Sequence, residues 1–335
     1  MIQKSRIVTG DALSVLQQIS DNHIDCCVTS PPYFGLRDYG VDGQIGLEES
    51  PQQYIEKMVE IFREVRRTLR ADGTLWLNIG DSYAGSGKGR NADGKHNNKT
   101  SSKESAGQRN GKILKTPILG ECKRKDLIGI PWMLAFALRK DGWYLRQDII
   151  WNKPNAMPES VKDRCTKSHE YIFLLAKSDR YYFDYSAIRE SAVGFDNRSS
   201  AGSKGTAAAN QHRKKGNAKT FRGSGVYTNH SSFNNSADTE RESHGNSENE
   251  TGFRNRRSVW NVATQGYVKA HFATFPEKLI EPCILAGCRP GGIVLDPFIG
   301  SGTTAIVAKK NGRDFIGIDI NPDYTEISRK RIEEN

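Results

Sequence analysis

A chain of 335 residues with 49 basic and 39 acidic side chains carries a formal charge of +10, and its hydrophobic content of 36% is low for one packed domain. That length admits one large α/β domain with insertions or two domains, with part of the chain outside any core, and the charge favours a polyanionic partner. No apolar run approaches membrane-spanning length, and the six cysteines contain no CxxC pair, so a soluble cytoplasmic protein with reduced thiols and no bound metal is expected.

Arg6–Thr9 reads as a strand and Ala12–Ile19 as a helix, with Leu13, Leu16 and Ile19 at helical spacing. Asp11 stands at the switch between them. Ligands of open α/β sheets bind at such strand ends, and Asp11 equally suits the helix N-cap; the two roles are compatible. The next apolar run, Ile24-Asp25-Cys26-Cys27-Val28, reads as a buried strand stopping abruptly at Thr29-Ser30-Pro31-Pro32-Tyr33. Consecutive prolines fix φ and donate no N–H, which leaves nearby carbonyls free to accept and holds the Tyr33 ring in a set direction.

Such a loop suits a planar substrate carrying an amine. The exocyclic amine of a nucleobase is a weak nucleophile because its lone pair is delocalised into the ring. Acceptors for its two hydrogens, here the Ser30 hydroxyl and the Pro31 carbonyl, would localise and aim that lone pair while Tyr33 stacks on the base. A strand end with a Pro-Pro turn and a buried tyrosine is the competing reading of the same residues.

Phe34–Gly46 is rich in glycine and aromatic residues and is expected to be irregular. Tyr54–Leu69 reads as an amphipathic helix with Ile55, Met58, Ile61, Phe62 and Val65 on its apolar side and Gly73 just beyond its end. Thr74–Ile79 is then a strand, ending in Gly80-Asp81-Ser82-Tyr83. From 85 to about 116, Gly, Ser, Asn and Lys dominate, which reads as a flexible basic insert. A helix over about Lys125–Lys140 follows, then strands near Tyr144–Trp151 and Glu170–Ala176, with Tyr181–Phe183 extending the second. Residues 186 to about 257 are again polar and basic, with isolated aromatics, a composition shared by linkers and by segments that fold against nucleic acid.

The last third reads as a βαβ unit. Pro276–Cys288 is a helix, Gly292–Leu295 a strand, and Asp296-Pro297-Phe298-Ile299-Gly300-Ser301-Gly302-Thr303-Thr304 a glycine-rich turn into a helix ending near Asn311. Strand Phe315–Ile318 ends in Asp319, whose carboxylate suits the hydroxyls of a ribose, and a helix over Asp323–Glu333 closes the chain. The turn lacks the third glycine of the dinucleotide fingerprint and no Walker lysine follows, so a nucleoside without a pyrophosphate fits best.

Together these stretches resemble the β-class amino-methyltransferases of DNA found in bacterial and phage modification systems. The resemblance covers nearly all of the ordered chain. It implies an α/β fold with a Rossmann-like mixed sheet of the methyltransferase type, circularly permuted so that the catalytic half precedes the cofactor half. S-adenosyl-L-methionine is the implied cofactor, held by Asp296, Phe298, Gly300, Gly302 and Thr303, with Asp319 on the ribose and Asp11 near the adenine. His271 to Leu279, with Phe275 and Pro276, is similar to the family's other cofactor motif. Ser30, Pro31, Pro32 and Tyr33 would hold the flipped target base.

The expected division is a catalytic half over 1–185, a target-recognition insert over 186–257 and a cofactor half over 258–335. A serine before Pro-Pro-Tyr goes with cytosine N4 methylation, and adenine N6 is the alternative. Carbon-5 methylation is set aside, because Pro282-Cys283 lies in a predicted helix rather than a strand-end loop. A catalytically silent DNA-binding module and methylation of a protein glutamine are further alternatives. Double-stranded DNA is the expected partner, together with a cognate restriction endonuclease.

Overall fold

The structure, a computed structural model, describes residues 5–36, 40–85, 122–191, 252–265 and 275–335. The basic stretch expected near 85–116 and nearly all of 186–257 therefore fall outside the described residues, as do His271–Thr274 of the second cofactor motif. The chain divides into two units, Met1–Ile188 with Arg257–Asn335, and Arg189–Arg256.

In the larger unit, strands β1 (Arg6–Thr9), β2 (Ile24–Thr29), β3 (Leu69–Ile79), β4 (Tyr144–Asn152) and β5 (His169–Ala176) alternate in part with helices α1 (Ala12–Leu16), α2 (Pro51–Thr68) and α3 (Ile130–Lys140). The smaller unit contributes β6 (Glu190–Ser191) and β7 (Phe253–Arg254), an antiparallel pair tied by Arg254 and Glu190 at 2.9 Å. Back in the larger unit follow β8 (Val259–Asn261), α4 (Glu277–Gly287), β9 (Ile293–Asp296), α5 (Thr303–Lys310), β10 (Asp314–Asp319) and α6 (Pro322–Glu334).

Eight strands form one sheet in the order β1, β10, β9, β2, β3, β5, β4, β8. Pairing is parallel from β1 through β3, β5 is antiparallel to β3 and β4, and β8 runs parallel to β4. The mixed methyltransferase-type sheet expected from the sequence is therefore present. Strand β2 shows why it lies at the centre. All six of its residues are buried, because alternate side chains enter different cores: Cys27 joins Leu75, Phe62 and Leu134 on one face, and Cys26 and Val28 join Trp76, Ile280 and Ile284 on the other. Asp25 survives in this run because its carboxylate accepts the Ile293 N–H at 2.9 Å and faces Arg70 and Arg289 at 3.8 and 3.7 Å.

Several boundaries differ from expectation. Helix α2 starts at Pro51, capped by Ser50, whose side chain accepts from the Gln53 N–H. It runs without a glycine turn into β3, since Leu69 is both its extended C-cap and the first strand residue, so Gly73 lies inside the strand. Helix α3 begins at Ile130 rather than near Lys125: the polar stretch before it turns instead, and Gly129 caps the helix at φ 85°. Tyr181–Phe183 does not continue β5. The Tyr182 N–H bonds to the Asp72 carbonyl, and the Phe183 ring stacks on Trp76 at 6.1 Å, so these aromatics cover the sheet's face. Pro282 and Cys283 are buried inside α4, as the reading against a carbon-5 nucleophile requires.

Candidate active site

Parallel strands present their carboxyl ends on one edge of the sheet, and β5, being antiparallel, brings its first residues to that same edge. A cavity of about 780 Å³ opens there. Of the residues singled out from the sequence, it is lined by Asp11, Ser30, Pro31, Pro32, Tyr33, Phe275, Phe298, Gly300, Thr303 and Asp319. The loops after β1, β2, β9 and β10, far apart in sequence, thus face one space.

Three expected site residues do not line it. Pro276 is the buried N-cap of α4, and Gly302 takes φ 86° at the start of α5, where a Cβ would lie 3.1 Å from Ser328 Cβ. Asp296 is 1% exposed and works inside the wall. Its carboxylate accepts from Thr29 Oγ1 and Thr304 Oγ1, both at 2.6 Å, and from the Phe298 N–H at 3.0 Å. One buried acid thereby joins the end of β2, just before Ser30, to the glycine-rich turn and to α5. Burial pushes its carboxyl up to about 6, against the pull of those three donors.

On the side of the glycine turn, Asp319 accepts the Gly300 N–H at 3.0 Å and the Asn321 N–H at 2.8 Å. Burial raises its carboxyl above the ordinary range while these two N–H groups act against the rise. Phe298, Ile320 and Tyr324 give the neighbouring wall an apolar character. Asp11 caps α1 through the Ser14 N–H at 2.9 Å and also lines the cavity.

On the other side, the prolines hold the loop in place. Tyr54 Oη, from the buried face of α2, donates to the Pro32 carbonyl at 2.9 Å, and the ring of Tyr33 packs beside Gly80, where a Cβ would come within 2.6 Å of its Cε2. The Tyr33 hydroxyl donates to Glu170 Oε2 at 2.8 Å. Burial first, and then the Glu170 carboxylate, push this phenol well above its ordinary pKa. It is a neutral donor at physiological pH.

Sequence reasoning gave Glu170, Lys153 and Asn78 no site role, and all three line the cavity. Lys153 Nζ is paired with Glu170 Oε1 and sits 4.2 Å from the centre of the Trp151 ring. Asn78 Nδ2 donates to Glu170 Oε2 at 3.3 Å and to the Tyr171 carbonyl at 3.1 Å. The only signal was position, at the ends of strands β3, β4 and β5. Asp81 has a structural task instead: its carboxylate accepts the Gly129 and Ile130 N–H groups at 3.0 and 3.1 Å and so caps α3. Among the described residues, no group of three or more His, Cys, Asp and Glu side chains could hold a metal ion, and no helix is long and apolar enough to cross a membrane.

A mixed sheet whose carboxyl edge carries a glycine turn, an acid-ended strand and a Ser-Pro-Pro-Tyr loop around one cavity defines a methyltransferase fold. The family model for DNA methylases of the N6/N4 type matches residues 24–330, and the chain belongs to that family. It is 45% identical to the Type II methyltransferase M.Cfr9I of Citrobacter freundii over 324 residues, spanning 97% of this chain and 86% of that protein. It is 42% identical to the Type II methyltransferase M.SmaI of Serratia marcescens, spanning 99% of this chain and 91% of that protein. Among solved structures, the PvuII DNA methyltransferase (cytosine-N4-specific) superposes with a TM-score of 0.60 at 16% identity, covering 98% of this chain and 86% of that one. The putative DNA modification methylase TTHA0409 of Thermus thermophilus, complexed with S-adenosyl-L-methionine, superposes with a TM-score of 0.54 at 20% identity, covering 98% and 95%.

Proposed function

We propose that this DNA methylase transfers a methyl group from S-adenosyl-L-methionine to the N4 amine of a cytosine flipped out of double-stranded DNA. The observation that carries the reading is that Ser30–Tyr33 and the Gly300–Asp319 pair face one cavity. Asp319 meets the ribose hydroxyls, with Gly300 fixing the carboxylate; Phe298 and Asp11 border the adenine, and Phe275 and Thr303 complete that side. The cofactor supplies an already activated sulfonium methyl group, so the protein orients and desolvates rather than providing a strong base.

On the substrate side, the Ser30 hydroxyl and the Pro31 carbonyl accept from the amine and aim its lone pair, and Tyr33 stacks on the base. Serine before Pro-Pro-Tyr favours cytosine N4, and the PvuII methyltransferase that shares the fold is cytosine-N4-specific. Adenine N6 is the alternative, with the same geometry and a larger ring. The chain order is read as a circular permutation, since β1 continues the sheet beside β10 and follows the closing helix if the ends are joined. Residues 186–257 are assigned to target recognition, and a restriction endonuclease of the same specificity is the expected companion of this cytoplasmic enzyme.

The test is to incubate the purified protein with unmethylated DNA and methyl-labelled cofactor, digest to nucleosides and identify the product by mass spectrometry. N4-methylcytosine is expected. N6-methyladenine would keep the mechanism and overturn the base assignment, and cofactor binding without any product would favour the silent binding module.

A further inference from the structure

Glu170 is a carboxylate with no part in the proposed methyl transfer, yet it lies at the centre of a connected set of contacts. Oxygen Oε2 accepts from the Tyr33 hydroxyl at 2.8 Å and from Asn78 Nδ2 at 3.3 Å, and Oε1 is paired with Lys153. Side-chain exposures of 16% for Glu170 and 19% for Lys153 put the pair mostly out of water, where charge-assisted bonds strengthen. Asn78 is itself fixed by its bond to the Tyr171 carbonyl, and Lys153 by the Trp151 ring. Two partners held at the ends of different strands thus brace the carboxylate that meets the Tyr33 phenol.

A tyrosine ring that stacks on a base works best if it is held in place before the base arrives, because ordering it during the reaction would spend binding free energy. The Pro31-Pro32 backbone limits where Tyr33 starts, and Gly80 leaves room for the ring on one side. Neither fixes where the far end of the ring points. The bond to Glu170 does: at 2.8 Å it is shorter than the hydroxyl's other contacts, Ser30 Oγ and Asn78 Oδ1, both at 3.4 Å.

We infer that Glu170, braced by Lys153 and Asn78, is a positioning residue that locks the Tyr33 ring as the platform for the target base. This rests on the stacking role proposed for Tyr33, and it assigns the lock to a residue 137 positions away in the chain. Glu170 acts through the Tyr33 hydroxyl, so the two groups form one energetic unit.

The experiment is a double-mutant cycle on the full chain, with Glu170→Ala, Tyr33→Phe and the double variant. It uses single-turnover transfer to unmethylated DNA at saturating cofactor, with cofactor Kd by calorimetry and thermal midpoints alongside. Each single variant should slow transfer about tenfold, the lower end for losing a hydrogen bond to a charged group, and the double variant should be no slower than the singles. Cofactor Kd should stay within about twofold. Glu170→Gln, which keeps an acceptor for the phenol, should recover most of the rate, and Glu170→Leu, which removes the acceptor but keeps bulk, takes the place of Glu170→Ala in the cycle if that variant does not fold. Multiplying losses, near a hundredfold in the double variant, would overturn the inference, as would a wild-type rate in Tyr33→Phe. A wild type that transfers nothing would instead refute the catalytic reading beneath it, which separates the two failures.

Discussion

Replacing Asp296 by asparagine keeps the shape of the buried wall and removes its charge, which changes how the stability of the protein depends on pH in a calculable way. In the fold this carboxyl titrates near 6, against an ordinary 3.8, because its burial costs more than its three hydrogen bonds return. The folded state therefore holds a proton that the unfolded chain has already released. Between the two values stability falls as pH rises, and above about 6 the loss is complete. At about 1.36 kcal/mol per pH step, moving from about pH 4.5 to about pH 7.5 should cost the wild type about 2 kcal/mol through this group. The asparagine side chain has no proton to lose. Urea denaturation of both proteins at the two pH values and fixed ionic strength isolates the effect, since every other carboxylate is shared. Asp296→Asn should be less destabilised relative to wild type at the higher pH, by about 2 kcal/mol. A difference between the proteins that does not move with pH, or moves the other way, would refute the assignment of the raised carboxyl to Asp296.

Gly80→Ala places a Cβ 2.6 Å from Tyr33 Cε2, closer than any real contact, so the anchored ring must shift. Transfer should drop about tenfold or more while the thermal midpoint falls by about 5 °C or less, because the ring, though packed against the core on one side, can shift toward the cavity it lines. In the native protein a thiol reagent should label Cys165 fast and Cys122 more slowly, while Cys26, Cys27, Cys283 and Cys288 wait for unfolding. Those four are buried, and burial drives the Cys26 and Cys27 thiols well up and that of Cys288 to about 12, removing the reactive thiolate. Mass spectrometry of quenched time points reads the order, and early labelling at Cys26 or Cys27 would contradict the closed core around β2.

Chemistry written within a few neighbouring residues is legible in the sequence alone. The apolar run ending in Ser30–Tyr33, the glycine turn after Asp296 and the acid closing β10 each sit at a strand end that the residue pattern announces, and they meet at one cavity. What escapes such a reading depends on distant pairing. Glu170 is the second residue of a strand that looks like any other, and only the antiparallel register of β5 against β3 carries it to Tyr33. Strand β8 is three residues amid polar sequence, stabilised by pairing with β4 and by the bond from Asn152 Nδ2 to Asn261 Oδ1 at 2.7 Å rather than by its own pattern. Tyr181–Phe183 has strand-like composition but lies over Trp76, a case of packing overriding propensity. Asp296 opens the turn and so reads as a cofactor contact; its two threonine partners, one of them 267 residues away, turn it inward.

The proposed function divides the labour across one cavity, with the glycine-turn side binding the cofactor and the Ser-Pro-Pro-Tyr side acting on the base. The most direct test measures cofactor Kd and single-turnover transfer in the same two variants, Asp319→Ala and Tyr33→Ala. Asp319→Ala should weaken cofactor binding about tenfold or more through loss of its charged hydrogen bonds, and Tyr33→Ala should bind cofactor as the wild type does while transfer slows by a similar factor or more. Full transfer by Tyr33→Ala, or unchanged cofactor binding by Asp319→Ala, would contradict the account.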